Sequence, residues 1–572
     1  MKIAVYTITK NEEGFIGRWA LSCRDADLRL IVDTGSSDNT IEIAKQAGCT
    51  VASIAISPWR FDDARNAALA LVPSDFDYCI ALDADEVLQP GWRAELEKVT
   101  PGVTRPRYKY VWSWNTDGSE GLTYMGDKIH ARKGYRWRHP VHEVITPIEA
   151  EVQGNVGLEI HHHPDHSKSR SQYLPLLELA VKEDPNDDRN QFYLGREYMF
   201  NDKKEDAQRH LLKHLELSTW KAERATAMRF LSRVTLDTEH WLLRACAEAP
   251  NRREPWVELA QFYYNHKAWA SSLAAAERAL TIKDKPLEYL CEAGSWGAQP
   301  HDLASIAAWN MGLKPRSVEH SLRAFQSEPL NPRLRENLSL VLSLTSSTPV
   351  EVIIPTRSNR TGLRAAIESL LPNSSVQAIH LIADGEDAFN GLRSISDDSR
   401  ITASLVTGRP GIHVMWNVGL SRCQPSSHIL FLNDDVTILG RGVDVLSALL
   451  DKLPHAGLIS PEYDSREFRN EFISVVDTCR GRYDGSGGIP GFAMMLSASI
   501  AHTWRFDESM KWWYGDDDLV NYVIRIAGKQ VGITGLASCS KNTSWTITND
   551  APPDFSNEVS NDKRIFQHKW GG

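Results

Sequence analysis

The chain has no run of about 18 apolar residues that would cross a bilayer as a helix. Its opening, MKIAVYTITKNEEGF, lacks the apolar stretch of a secretory leader, so the expected location is cytoplasmic, without a membrane span. Cysteine is sparse: eight residues, none in a CxxC pair, which fits reduced thiols and excludes a disulfide framework or a cysteine zinc site. An excess of positive charge is also missing. The formal net charge of −10 argues against a broad electrostatic nucleic-acid footprint. One local patch, RPRYKYVWSW followed by HARKGYRWRHP, interleaves basic and aromatic residues; it suits a wall facing an acceptor, a base-stacking surface or simple packing.

With 42% hydrophobic and 24% charged residues, the 572-residue chain has ordinary globular composition and is too long for one core. Three domains are expected: residues 1–165, 166–345 and 346–572. The first alternates β-like runs (KIAVYTI, LRLIVDT, YCIALDA) with helix-patterned stretches, the rhythm of a parallel α/β sheet. The second reads as helix pairs broken at DPNDD, APNRR and PLNPR. Two of its segments, NQFYLGREYMF and EPWVELAQFYY, lie about 65 residues apart, near two tetratricopeptide periods. After TSSTP the α/β rhythm returns.

Polar clusters follow the β-like runs of the first domain: TITKNEEGF, LIVDTGSSDNT, PWRFDDARNAAL and YCIALDADEVL. Open α/β sheets bind ligands at such strand ends. A sugar nucleotide needs a carboxylate for base or ribose, which Asp33 and Asp38 can supply, and a cation for its diphosphate. Taken together, these spans resemble family 2 glycosyltransferases of the GT-A fold, and more closely those fused to tetratricopeptide-like helices, such as the sublancin-type S-glycosyltransferases. The resemblance covers roughly residues 1–220. It implies that Thr9, Asn11 and Glu12 line the base pocket, that Asp83 faces the ribose, and that Asp85 ligates Mg²⁺ or Mn²⁺. Arg65 and Asn66 would reach the phosphates. His142 and His161 are the expected histidine ligands, and Glu143 is the expected general base.

IIPTRSNR, LIADGEDA, GIHVMWNVGLSRC, ILFLNDDVTIL, GIPGFAMMLS and FDESMKWWYGDDDL resemble a second domain of the same family. Here Pro355 and Thr356 open the nucleotide pocket, Asp384 is the base-binding carboxylate, and Asn417 is a further substrate contact. Asn433, Asp434 and Asp435 align with Asp83, Ala84 and Asp85, which makes Asp435 the metal ligand. Asp517 is the favoured acceptor-side base, with Asp516 second; Trp512 and Trp513 form an acceptor floor. Cys539 and Ser540 stand where relatives often place a metal-binding histidine. The fold expected is two GT-A domains flanking an all-α, tetratricopeptide-like segment. The expected function is a bifunctional, metal-dependent glycosyltransferase using nucleoside-diphosphate sugars. Its acceptor would be a protein or peptide, a glycan or a modified DNA base. The alternative is one active domain, with the other domain and the repeats as acceptor-binding scaffold.

Overall fold

The computed structural model describes residues 1–115, 118–164, 173–357, 359–392, 395–463, 474–476, 489–541 and 554–571. The chain divides into two compact units, Met1–Leu303 and Ala304–Gly572. The helical segment expected over 166–345 is therefore shared between them. The physical reason is packing: Val318, Phe325, Leu338 and Leu342 enter the same core as Val350 and Leu446. The seven described cysteines are free, and Cys479 lies outside the described residues. No helix among the described residues is long and apolar enough to cross a membrane.

In the first unit, β1 (Ile3–Thr9), β2 (Leu28–Asp33), β3 (Thr50–Ser53) and β4 (Tyr78–Ala81) form a parallel sheet in the order β3-β2-β1-β4. β1 is a nearly unbroken apolar run because both its faces are covered. Ile3 and Val5 pack with Trp19 of the helix Ile16–Ser22, whereas Ala4 and Tyr6 pack with Ala68 and Leu69 of the helix Phe61–Leu71. That alternation is the two-residue period of a strand. There follow β5 (Glu86–Leu88), β6 (Arg105–Val111), β7 (Thr123–Gly126), β8 (Ile129–Ala131), β9 (Tyr135–Arg138), β10 (Val144–Pro147) and β11 (Gln153–His162). β8 closes the first sheet antiparallel to β4. β5, β11, β6 and β7 make a second sheet, and β9 and β10 pair as a hairpin.

Helix pairs complete this unit. Their first helices begin at Asp188, Lys221 and Arg253, 33 and 32 residues apart. The sequence showed only the outer two, because Lys221–Val234 (KAERATAMRFLSRV) lacks the aromatic–Leu–small–Tyr signature of its neighbours. Gly195 allows the close crossing within the first pair: a Cβ there would lie 2.8 Å from Leu211.

In the second unit, β12 (Val350–Thr356), β13 (Val376–Asp384), β14 (Ile401–Val406) and β15 (His428–Leu432) again run parallel in the order β14-β13-β12-β15. The sheet continues with β16 (Val436–Ile438), β17 (Ala456–Tyr463), β18 (Ser474–Val476), β19 (Ala493–Leu496) and β20 (Gln530–Lys541). Beyond β15 the order is β19-β17-β20-β16, with β18 also paired to β20.

Buried among the helix pairs, Glu223 accepts a hydrogen bond from the Tyr289 hydroxyl at 2.6 Å, and burial pushes its carboxyl up to about 7 from 4.5. The folded state then holds a proton that the unfolded state has lost, so stability falls as pH rises through that window. Glu223→Gln should remove the slope. Between pH 4.5 and pH 8 the variant should gain roughly 3 kcal/mol relative to wild type, read by urea unfolding at both ends.

Candidate active site

At the C-terminal end of β4 the chain turns through Leu82–Asp85 into β5. Asp83 receives Arg65 Nη2 and Lys128 Nζ, each at 2.6 Å, and its N–H donates to Glu86 Oε2 at 2.8 Å. Glu86 is 1% exposed, accepts from the Tyr110 hydroxyl at 2.6 Å, and receives Lys128 at 3.0 Å. Burial raises the Glu86 carboxyl. Burial alone would raise Asp83 too, but the two cations hold it well below the usual carboxylate range.

Asp85 faces His162, with Oδ2 3.3 Å from Nε2. The other ring nitrogen, Nδ1, lies 2.9 Å from the Trp112 carbonyl, and the indole of Trp112 stacks on the imidazole at 4.2 Å. With the Nδ1 proton donated to that carbonyl, Nε2 faces Asp85: it donates to the carboxylate when the ring is charged and offers a lone pair when the ring is neutral. Burial opposes a charged ring, yet the hydrogen bonds with Asp85 and the Trp112 carbonyl and the charges of Asp85 and Glu86 together outweigh it and raise His162.

This arrangement corrects the histidine assignment. His161 lies on the opposite face of β11, 3.3 Å from Glu159. His142 stacks on Tyr193 at 4.2 Å and lies 3.4 Å from Arg196, on the helices. The signal for His162 was present in QGNVGLEIHH: Leu158 and Ile160 point inward, so the next inward residue is 162. Lys128, Glu86, Tyr110 and Trp112 carried no comparable signal.

The other expected residues divide by what they already hold. Arg65, 5% exposed, reaches Asp83 and also Glu143 at 2.5 Å, with its guanidinium 4.8 Å above Trp137 and Nη1 without a hydrogen-bond partner. Glu143 is thus a guanidinium partner, a poor position for a base. Asn66 uses both ends of its amide on the backbone of Trp137, at 2.9 Å each, so it pins the β9 hairpin and does not reach a phosphate. Asp33 accepts the N–H groups of Gly35 and Ser36. Asp38 accepts from Thr40 and Glu13. Asn11 accepts from Ser37, and the Glu12 N–H donates to Thr40. These four residues shape the loops at the sheet's edge. The buried hydroxyl of Thr9 has no hydrogen-bond partner.

In the second unit, Thr356 donates to Asp434 at 2.8 Å from the buried β12 that also holds Pro355, and burial beside Asp435 pushes Asp434 up to about 7. Asp435 is 7% exposed, and Asn433 donates its N–H to Phe492. Asp384 faces Arg357 at 3.6 Å. Asn417, expected at the substrate, instead holds the Phe506 backbone with both amide ends, at 2.8 Å each.

Within the acidic triplet the residues separate. Asp518 is fully buried against Lys569 (2.9 Å) and Trp570 (2.7 Å), and Asp517 is 9% exposed. Asp516 is half-buried, and its carboxylate lies so close to Gly491 that a Cβ there would come within 1.9 Å. Asp516 is thus the more accessible of the two carboxylates. Trp513 is 45% exposed, whereas Trp512 donates its indole N–H to Glu558.

Residues 4–146 match the family model described as Glycosyl transferase family 2. The chain carries a family 2 glycosyltransferase domain there. An uncharacterized glycosyltransferase of Rickettsia typhi is 32% identical over 109 residues, 19% of this chain and 36% of the relative. One from Rickettsia prowazekii is 31% identical over 109 residues, again 19% and 36%. The chain thus spans little more than a third of the length of the curated relatives it matches. Among solved structures, GalNAc-T7 with UDP, GalNAc and Mn²⁺ is 11% identical with a TM-score of 0.29, covering 34% of this chain and 44% of that one. S. aureus TarS is 13% identical with a TM-score of 0.28, covering 38% and 43%.

The loop before the triplet hangs on one carboxylate. Asp562, 1% exposed on the helix Phe555–Trp570, accepts the N–H groups of Lys511, Trp512 and Trp513 at 2.9 to 3.1 Å. Asp562→Ala should cost about 3 kcal/mol in denaturant unfolding, since three part-buried backbone donors lose a charged acceptor. Tryptophan emission should shift red with it; unchanged stability would mean the loop is held elsewhere.

Proposed function

We propose that this chain is a bifunctional glycosyltransferase that takes sugars from nucleoside-diphosphate donors at two sites, one at the strand ends of each α/β sheet. The observation that carries the reading is the turn after β4, inside the matched segment. It sets two carboxylates beside Arg65, Lys128 and an imidazole lone pair, with Arg65 Nη1 left to donate. Diphosphate recognition calls for that mixture of fixed cations and metal-ligating groups.

The donor set fits a divalent ion. Asp85 offers an oxygen and His162 a nitrogen 3.3 Å apart, and the Trp112 carbonyl fixes the ring. When bound, Mn²⁺ or Mg²⁺ neutralises charge on the departing diphosphate. Arg65 and Lys128 contribute fixed positive charge. In the second unit, Asp516 takes the proton of an acceptor hydroxyl as that oxygen attacks the anomeric carbon. The sugar–phosphate bond breaks on the opposite face, an inverting displacement. The exposed face of Trp513 supports the acceptor. The helix pairs are read as tetratricopeptide-like repeats that present a peptide or glycan acceptor.

Donor hydrolysis across a nucleotide-sugar panel should require Mn²⁺ at the first site and disappear in Asp85→Ala. Manganese binding read by electron paramagnetic resonance should weaken about tenfold or more in His162→Ala and hardly change in His161→Ala, because ligand loss is local. The reverse ranking would restore His161.

Asp516→Asn keeps shape but loses the proton acceptor. Transfer by the second unit should fall about 10² to 10⁴-fold with donor affinity intact, while Asp517→Asn changes transfer little. Product mass and calorimetry separate the two, and a larger loss in Asp517→Asn would return the role to that residue.

A further inference from the structure

The strand pairs that hold the two carboxylate turns share one register. In the first unit Ile160, His161 and His162 face Leu88, Val87 and Glu86. In the second, Cys539, Ser540 and Lys541 face Ile438, Thr437 and Val436. The neighbouring parallel strands agree, since Ile160 faces Tyr110 and Cys539 faces Tyr463. Ile160 and Cys539 are both buried, and Ser540, like His161, points to the other side of its strand, where its hydroxyl lies 2.6 Å from that of Thr437. Asp85 and Asp435 each stand one residue before the paired position. The position of His162 is therefore occupied by Lys541, and neither Cys539 nor Ser540 is its counterpart.

We propose that the second unit holds its donor diphosphate against the ammonium of Lys541 in place of a divalent cation. This rests on reading that unit as a nucleotide-sugar site. A lysine ammonium has three donors and no lone pair, so it cannot ligate a metal; its fixed charge opposes a second cation beside it. Lys541 Nζ lies 4.6 Å above the ring of Phe492, the residue whose carbonyl accepts the Asn433 N–H. Against the first turn the second loses two carboxylates and gains one, Asp434 at the position of Ala84, a net loss of one. Asn433 stands at the position of Asp83, and Val436 stands at that of the buried Glu86. Lysine at the histidine position removes the metal-ligating nitrogen and puts an ammonium in its place.

The test uses the full chain with Asp85→Ala and His162→Ala, which silence the first site, titrated calorimetrically with UDP, GDP, CDP, dTDP and ADP in EDTA and in Mn²⁺. The nucleotide that binds should do so within about threefold of the same affinity in both buffers. Lys541→Ala should weaken it about tenfold or more, and Lys541→Arg should recover most of the loss, as expected for a point charge on phosphate. Far-ultraviolet dichroism checks the fold of each variant. Binding only with Mn²⁺, or binding indifferent to Lys541→Ala, overturns the proposal and leaves the nucleotide site standing. No binding of any diphosphate in either buffer overturns the nucleotide site itself, and the proposal with it.

Discussion

Arg65 is the interaction on which the first site depends. Its guanidinium is buried against Trp137 and joins three parts of the fold: the helix Phe61–Leu71 that carries it, the end of β4 through Asp83, and the β9–β10 hairpin through Glu143. Two carboxylates brought near one turn repel each other, and a buried cation between them turns that repulsion into attraction. Removing either partner would strand a charge in a low-dielectric interior. The hairpin, the helix and the sheet end are therefore fixed together, and beside them stand Asp85, on the turn before β5, and His162, on β11.

The two α/β sheets repeat a plan and differ in its chemistry. Each has four parallel strands in the same order and a carboxylate turn after the fourth, and in each unit an antiparallel strand with a basic residue pairs with the strand that follows the turn. Each also uses an asparagine amide as a two-ended clamp on an aromatic residue's backbone, Asn66 on Trp137 and Asn417 on Phe506. A clamp of this kind satisfies two buried backbone groups with one side chain, which explains why both asparagines look like site residues and serve the scaffold. The first turn is rich in carboxylates and ends at an imidazole; the second has fewer and ends at an ammonium. In the second unit, Asp562 and Lys569 on the last helix hold the loop and Asp518 in place.

Much of this was legible in the residues. Buried strands announce themselves as apolar runs, and polar clusters follow them, so the place of Asp83, Asp85, Asp434 and Asp435 just after a strand was legible from sequence. The paired helices were legible at their outer repeats, whose aromatic and small residues are spaced for close crossing, and illegible at Lys221–Val234, where packing is made by other side chains. Local spacing could not say which of three consecutive histidines meets Asp85. Strand parity decides that, and parity is anchored by Leu158 and Ile160 entering the core.

By itself, the sequence determined where the sheets run, which carboxylates end them and which residue types are available for phosphate and metal. Only the tertiary structure decided partners. Arg65 is shared between Asp83 and Glu143, Asn66 and Asn417 are spent on backbone, Asp518 is buried under Lys569, and Lys541 takes the place that His162 has in the first unit. The reason is physical. A side chain's chemistry is local, but its protonation, its access and its hydrogen-bonding vacancies are set by groups tens to hundreds of residues away, brought near by strand register and core packing.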